Sequence, residues 1–335
     1  MKPTSRRILY AAVVIGAVLC TPALHAYLRL GYLLGGRVVG LEWTSLPVRY
    51  YVTNRDITGI TAPQLQTVVA RGFAEWARPA NVSLSSQFVG FTSAEPGDDD
   101  TLSVMGFESH PELDRTLGAT SFEFDSVTGQ FLGADIFINS IFPWSVAANG
   151  DSTRWDLESI MVHELGHLLG LGHSALGETE LQGGGRRVLG KRAVMFPIAY
   201  PRGSIADRTL EADDIAGITD VYGTSQATRD LGAIAGRVTL NGAGVYGAHI
   251  TAFNSATGEL VSGFTLNSQG EFVIAALTPG VYVLRVEPLD DADIDGFFDE
   301  DPPVNLNFRV TYHAKQVAVP AGGTSGSIEI KVRSK

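Results

Sequence analysis

Three histidines, His163, His167 and His173, with Gly170 between the last two, constrain this chain more than any other feature. Residues four apart on an α-helix are separated by about 40° around the axis and about 6 Å along it, so His163 and His167 can face one metal ion. A continuous helix would carry His173 roughly 15 Å from His163 along the axis and onto another face. It joins the other two only if the helix stops and the chain doubles back. Gly170 stands where that reversal must occur, and glycine accepts the positive φ such a turn needs. Glu164, beside His163, can reach a water at the metal without binding the metal. Three neutral imidazoles that leave one position open are the donor set of a catalytic zinc. The competing reading is an amphipathic helix with solvent-facing histidines. The added glycine and third histidine lower chance matches by roughly several hundred-fold on ordinary residue frequencies.

The N-terminus reads as an export signal. Lys2, Arg6 and Arg7 precede an apolar run of 13 residues at 8–20, shorter than the ~20 needed for a membrane-spanning helix. Ala26 suits cleavage before Tyr27; an uncleaved anchor is the alternative. The expected product is secreted or periplasmic, with no membrane span after cleavage. Cys20, the one cysteine, lies in that leader, so no disulfide or thiol chemistry is expected in the mature chain. Removing residues 1–26 leaves 22 basic against 36 acidic residues, a net charge of −14. That balance argues against nucleic acid and anionic membranes as partners.

The remaining length suits two domains. Residues 27–42 form a short Gly- and Leu-rich N-terminal segment. Residues 43–224 read as an α+β unit, a mixed twisted sheet with three helices. Strands are expected over 46–52, 82–91, 101–107, 119–124 and 131–139. One helix runs from Thr61 as N-cap, with apolar Leu65, Val68, Val69, Phe73 and Trp76 at spacings of three and four, and another covers about 156–169. Residues 225–231 are polar and aperiodic and read as a linker. Residues 232–335 alternate with period two between turns such as Asn241-Gly242 and Pro279-Gly280, the pattern of a small antiparallel sandwich.

The histidine motif resembles that of the metzincins, and its surroundings are most similar to the matrixins, the matrix-metalloproteinase-like branch. Ala193-Val194-Met195-Phe196-Pro197 resembles their Met-turn, and Leu210-Glu211-Ala212-Asp213-Asp214 through Tyr222-Gly223 resembles their final helix. The resemblance covers about residues 41–223. It implies a zinc endopeptidase acting on proteins or peptides, with His163, His167 and His173 as ligands, Glu164 as catalytic base and Met195 as an apolar floor under the metal. Vertebrate matrixins carry a prodomain cysteine that blocks the zinc and a second, structural zinc bound by upstream histidines. Here thiolate latency is not expected, residues 27–42 are too few for a folded prodomain, and His110 is the one catalytic-unit histidine outside the motif. One zinc and a monomer are expected. Residues 174–192 are expected to form much of a specificity-loop wall, and Tyr200 to pack rather than react.

Residues 232–335 resemble the carboxypeptidase-regulatory-like β-sandwich through Gly236-Arg237-Val238, Ala248-His249-Ile250-Thr251-Ala252 and Gly270-Glu271-Phe272. The resemblance implies a spacing, stabilising or docking role. Asp291, Asp293 and Asp295 alternate before Gly296, with Asp299 following, as at the start of a calcium loop. Pro302 stands where the last bidentate ligand would be, so a Ca²⁺ site and a solvated acidic turn both stay open. The alternative to a protease is an adhesion or binding protein in which the sandwich docks to a surface or polymer.

Overall fold

A computed structural model describes residues 29–34, 37–98, 100–182, 185–289 and 303–335. The leader at 1–26 and the aspartates Asp291, Asp293, Asp295 and Asp299 lie outside the described residues. The chain is α+β followed by all-β. Strands β1 (Gly31–Leu34) and β2 (Arg37–Gly40) form an antiparallel hairpin. A five-stranded sheet follows, from β3 (Val48–Thr53), β4 (Ser86–Thr92), β5 (Val104–Glu108), β6 (Gly118–Phe124) and β7 (Phe131–Asn139), in the order β4-β3-β5-β7-β6. All its pairings are parallel except β6 on β7. The sheet is therefore mixed, as the sequence predicts.

Helix α1 (Ala62–Trp76) makes the crossover from β3 to β4. Thr61 Oγ1 accepts the Gln64 N–H while Gln64 Oε1 accepts the Thr61 N–H, a reciprocal capping box that satisfies two end donors. The predicted apolar face, from Leu65 to Trp76, is buried. It packs on α2 (Leu157–Leu168), where Trp76 Nε1 donates to Val162 O at 2.8 Å. Just before α2, β8 (Trp144–Ser145) and β9 (Trp155–Asp156) make a short parallel pair. Helix α3 (Ala212–Tyr222) closes this unit.

Three segments depart from the sequence reading. The strand expected from residue 82 begins at Ser86. Val82 bridges Gly223 instead, and Ser83 N–H donates to Tyr222 O, so the end of α3 takes the backbone groups a strand would have used. The stretch after His173 contains a hairpin, β10 (Gly177–Gln182) paired with β11 (Gly185–Lys191). The linker residues form a short helix, α4 (Ser225–Asp230), with Thr224 Oγ1 accepting the Ala227 N–H.

The second unit has two facing sheets. One holds β12 (Gly232–Leu240), β13 (Ala243–Gly244) and β16 (Glu271–Leu277), with β20 (Thr324–Val332) pairing β12 in parallel. The other runs β15 (Leu260–Phe264), β14 (His249–Asn254), β17 (Gly280–Glu287), with β18 (Thr311–Tyr312) and β19 (Val317–Val319) on β17. Ile234, Val238 and Phe272 of the first meet Ile250, Ala252 and Leu284 of the second in one core. Asn241 and Gly242 both have positive φ, 53° and 87°, as the tight hairpin read from Asn-Gly requires.

Asp135 on β7 is buried and accepts N–H bonds from Val104 at 2.7 Å and Gly97 at 2.8 Å. Those bonds favour the carboxylate, but burial outweighs them and pushes its pKa up to about 7. The folded value exceeds the ordinary ~3.9 of an unfolded aspartate. The folded state therefore holds the proton longer, and this group's contribution to stability falls as pH rises from about 4 to about 7. Urea titrations across that window should show a shallower fall for Asp135→Asn, the slope changing by at most about 1.4 kcal/mol per pH unit. Identical slopes for both proteins would contradict the assignment.

Candidate metal centre

Helix α2 brings the first two histidines to one face. Asp156 caps its N-terminus, accepting the Ser159 N–H at 2.9 Å, and is itself held by Arg208 at 2.5 and 2.9 Å. The helix stops at a Schellman turn: Leu171 N–H donates to Gly166 O at 3.0 Å and Gly170 N–H to His167 O at 2.9 Å. Gly170 has φ +95°, and a Cβ there would lie 2.4 Å from Leu41 O. Leu30 N–H donates to Gly170 O at 2.8 Å, and Leu41 is in the hydrophobic core of the first unit. Leu30 and Leu41 thus brace the turn that returns His173 to the helix.

The three imidazoles converge. One ring nitrogen from each of His163, His167 and His173 lies within 4.8 Å of the others. His163 Nδ1 is 2.8 Å from Val194 O and His167 Nδ1 is 2.8 Å from Leu171 O. A carbonyl oxygen only accepts, so each Nδ1 carries the hydrogen and each neutral ring presents a bare Nε2 lone pair. Those two Nε2 atoms sit 3.1 Å apart. Burial first, then the neighbouring rings, holds His163 well below the usual histidine range, and the same causes bring His167 down to about 3. Neutral rings with facing lone pairs are the protonation state a metal needs. Zn–N bonds of 2.0–2.1 Å in a tetrahedron place nitrogens about 3.4 Å apart, close to the 3.1 Å between the His163 and His167 Nε2 atoms. The residues present fit zinc.

Glu164 is 5% exposed, and burial pushes its pKa up to about 7 against one lowering contact, the Thr120 hydroxyl donating to Oε2 at 2.8 Å. Met195 is fully buried. A Cβ on Gly166 would lie 2.2 Å from Met195 Sδ and 2.8 Å from Trp76, so the thioether reaches α2 only because residue 166 has no side chain. Asp214 of α3 accepts the Val194 and Met195 N–H groups at 2.8 and 3.1 Å. It thereby sets the Met-turn, whose Val194 carbonyl orients His163. Tyr200 packs, its hydroxyl accepting the Lys191 N–H at 3.1 Å.

Thr120 and Gly166 were not singled out from sequence, and Asp214 entered only as part of the final-helix resemblance. Thr120 carries no motif and reaches Glu164 only through the sheet. Gly166 had a readable signal, a glycine inside a helix, where a close approach is the usual reason.

The matrixin family profile matches residues 42–223, more than half of the chain. The chain belongs to the matrixin family. A carboxypeptidase regulatory-like domain profile matches residues 233–297. This matrixin is 27% identical over 198 residues to Metalloendoproteinase 4-MMP of Arabidopsis thaliana, covering 55% of this chain and 48% of that one. To Metalloendoproteinase 5-MMP of the same plant it is 30% identical over 199 residues, covering 52% and 46%. To Matrilysin of Homo sapiens it is 27% identical over 197 residues, covering 56% and 61%. The chain spans about half the length of the two plant relatives.

Gly170→Ala forces a Cβ against Leu41 O in a left-handed conformation. It should lower folding stability by about 1–3 kcal/mol and weaken zinc binding, measured by denaturant titration and chelator competition. A variant equal to the wild type in both would show that the turn tolerates a side chain.

Proposed function

We propose that this matrixin is an exported zinc-dependent endopeptidase, with the ion held by His163, His167 and His173 and with Glu164 as general base. The observation that carries the reading is the pair of Nε2 lone pairs facing each other at 3.1 Å, both rings fixed by their Nδ1–H groups. Two like-oriented lone pairs repel unless a cation stands between them. Zinc, when bound, supplies a Lewis acid that acidifies water and polarises a peptide carbonyl.

The chain's own residues supply the rest. The Val194 and Leu171 carbonyls fix the Nδ1–H tautomer of His163 and His167 and turn the rings correctly, while burial keeps them neutral. Glu164, its pKa raised by burial to about 7, can take a proton from attacking water and return it to the departing amine near neutral pH. Thr120 Oγ1 holds that carboxylate in one orientation. Export rests on residues 1–26, and Tyr27 at the N-terminus of the secreted protein would support it.

Glu164→Ala should keep its zinc and lose at least ~10³-fold in hydrolysis of denatured protein substrates, within the range a general base contributes. His167→Ala should lose the metal, as elemental analysis would report. Near-normal cleavage by Glu164→Ala would overturn the assignment of the base, and cleavage by the wild type that survives chelation would overturn the zinc.

A further inference from the structure

His173 stands on residues 172–176, which belong to no helix or strand, so no ladder of backbone hydrogen bonds sets its position. The next residue is tied down on two sides. Ser174 N–H donates to Met195 O at 2.9 Å, and its hydroxyl donates to Asp213 Oδ2 at 2.5 Å while accepting the Leu176 N–H at 3.2 Å. Asp213, on α3, is completely buried. Its other oxygen accepts the Ser262 N–H at 2.7 Å and the Ser262 hydroxyl at 3.3 Å. Ser262 belongs to β15, an edge strand of the C-terminal sandwich.

A second contact reaches the other side of the centre. Phe196, which follows Met195, is buried with Val188 of β11 among Tyr246, Phe264, Leu266 and Leu289 of the second unit. Ala216 of α3 lies in the sandwich core itself. The sandwich therefore touches the first unit at Asp213, which binds His173's neighbour Ser174, and at Phe196, which follows Met195; Asp213, Ser262 and Phe196 are all buried.

We infer that the C-terminal sandwich is a structural part of the metal centre: Ser262 and Asp213 act as positioning residues that hold the third ligand, His173, through Ser174. This rests on the zinc reading above. An edge-strand N–H left unpaired by its own sheet and a buried carboxylate satisfy each other, and the same carboxylate orders the irregular segment that carries the ligand. Without the sandwich, Asp213 would face water, which could take its hydrogen bonds and release Ser174.

The test uses full-length chain, with zinc affinity from chelator competition and the visible spectrum of the cobalt-substituted protein as readouts. Ser174→Ala should weaken zinc binding by about 10–100-fold, the usual effect of removing an outer-shell partner, and Ser174→Thr, which keeps the hydroxyl, should restore it. Ser262→Pro removes the donor N–H at an edge position where proline is tolerated. It should weaken zinc to a similar extent and alter the cobalt spectrum. The Ser174→Ala, Ser262→Pro double variant should bind no more weakly than either single one, because the two lie on one relay. If Ser262→Pro does not fold, Ser262→Ala decides, with a several-fold loss expected from the hydroxyl contacts alone. Wild-type zinc affinity and spectrum in the folded Ser262 variant would overturn the inference, as would fully additive losses in the double variant. A wild-type chain that binds no zinc would instead overturn the zinc reading itself.

Discussion

The facing lone pairs of His163 and His167 are the constraint around which the matrixin unit is arranged. Held 3.1 Å apart by carbonyls that demand hydrogen on the opposite nitrogens, the rings cannot relieve each other by sharing a proton without breaking one of those bonds. Burial removes the other route, since protonating either ring would place a charge in an apolar interior. The arrangement holds together because helix α2, the Schellman turn at Gly170 and the Met-turn are each pinned separately: by Asp156, by Leu30 and Leu41, and by Asp214.

Two neighbouring aspartates on α3 divide the support between them. Asp214 gathers the backbone of Val194 and Met195, and Asp213 gathers Ser174 and Ser262. Both are completely buried, and burial raises the pKa of each, Asp213 to about 7 and Asp214 to about 6. Keeping such groups in the interior costs desolvation that only multiple hydrogen bonds offset. Their value is geometric: one turn of helix fixes the loops on both sides of the histidine cluster. The sandwich enters the same network through a backbone N–H, a donor no side-chain pattern reveals.

Legibility differed by element for physical reasons. Helix α1 was readable because Thr61, Pro63 and the spacing of Leu65 to Trp76 are local signals of a cap and a buried face. The hairpin at Gly177–Lys191 was not, because Glu178, Thr179, Arg186 and Arg187 give no period-two apolar pattern. Among its described residues the buried anchor is Val188, which packs with Phe196 and with residues of the second unit. Helix α4 was missed because its six residues, five of them polar, show no apolar stripe, and its stability comes from the Thr224 cap and the packing of Ala227. Strand β4 was placed too early because the alternation from Val82 is real, but its first residues pair with the end of α3.

The sequence by itself determined the fold class, the three converging histidines, the glycine that reverses the chain and the neighbouring glutamate, since each depends on spacing within a dozen residues and on helix geometry. Only the tertiary structure decided which groups orient those side chains. Thr120 on β6, Asp214 on α3 and Ser262 in the sandwich are distant in sequence from the groups they hold and act through hydrogen bonds of 2.7 to 3.3 Å. Such contacts arise from the packing of sheets and helices, and the residues that make them carry no local pattern that could announce it.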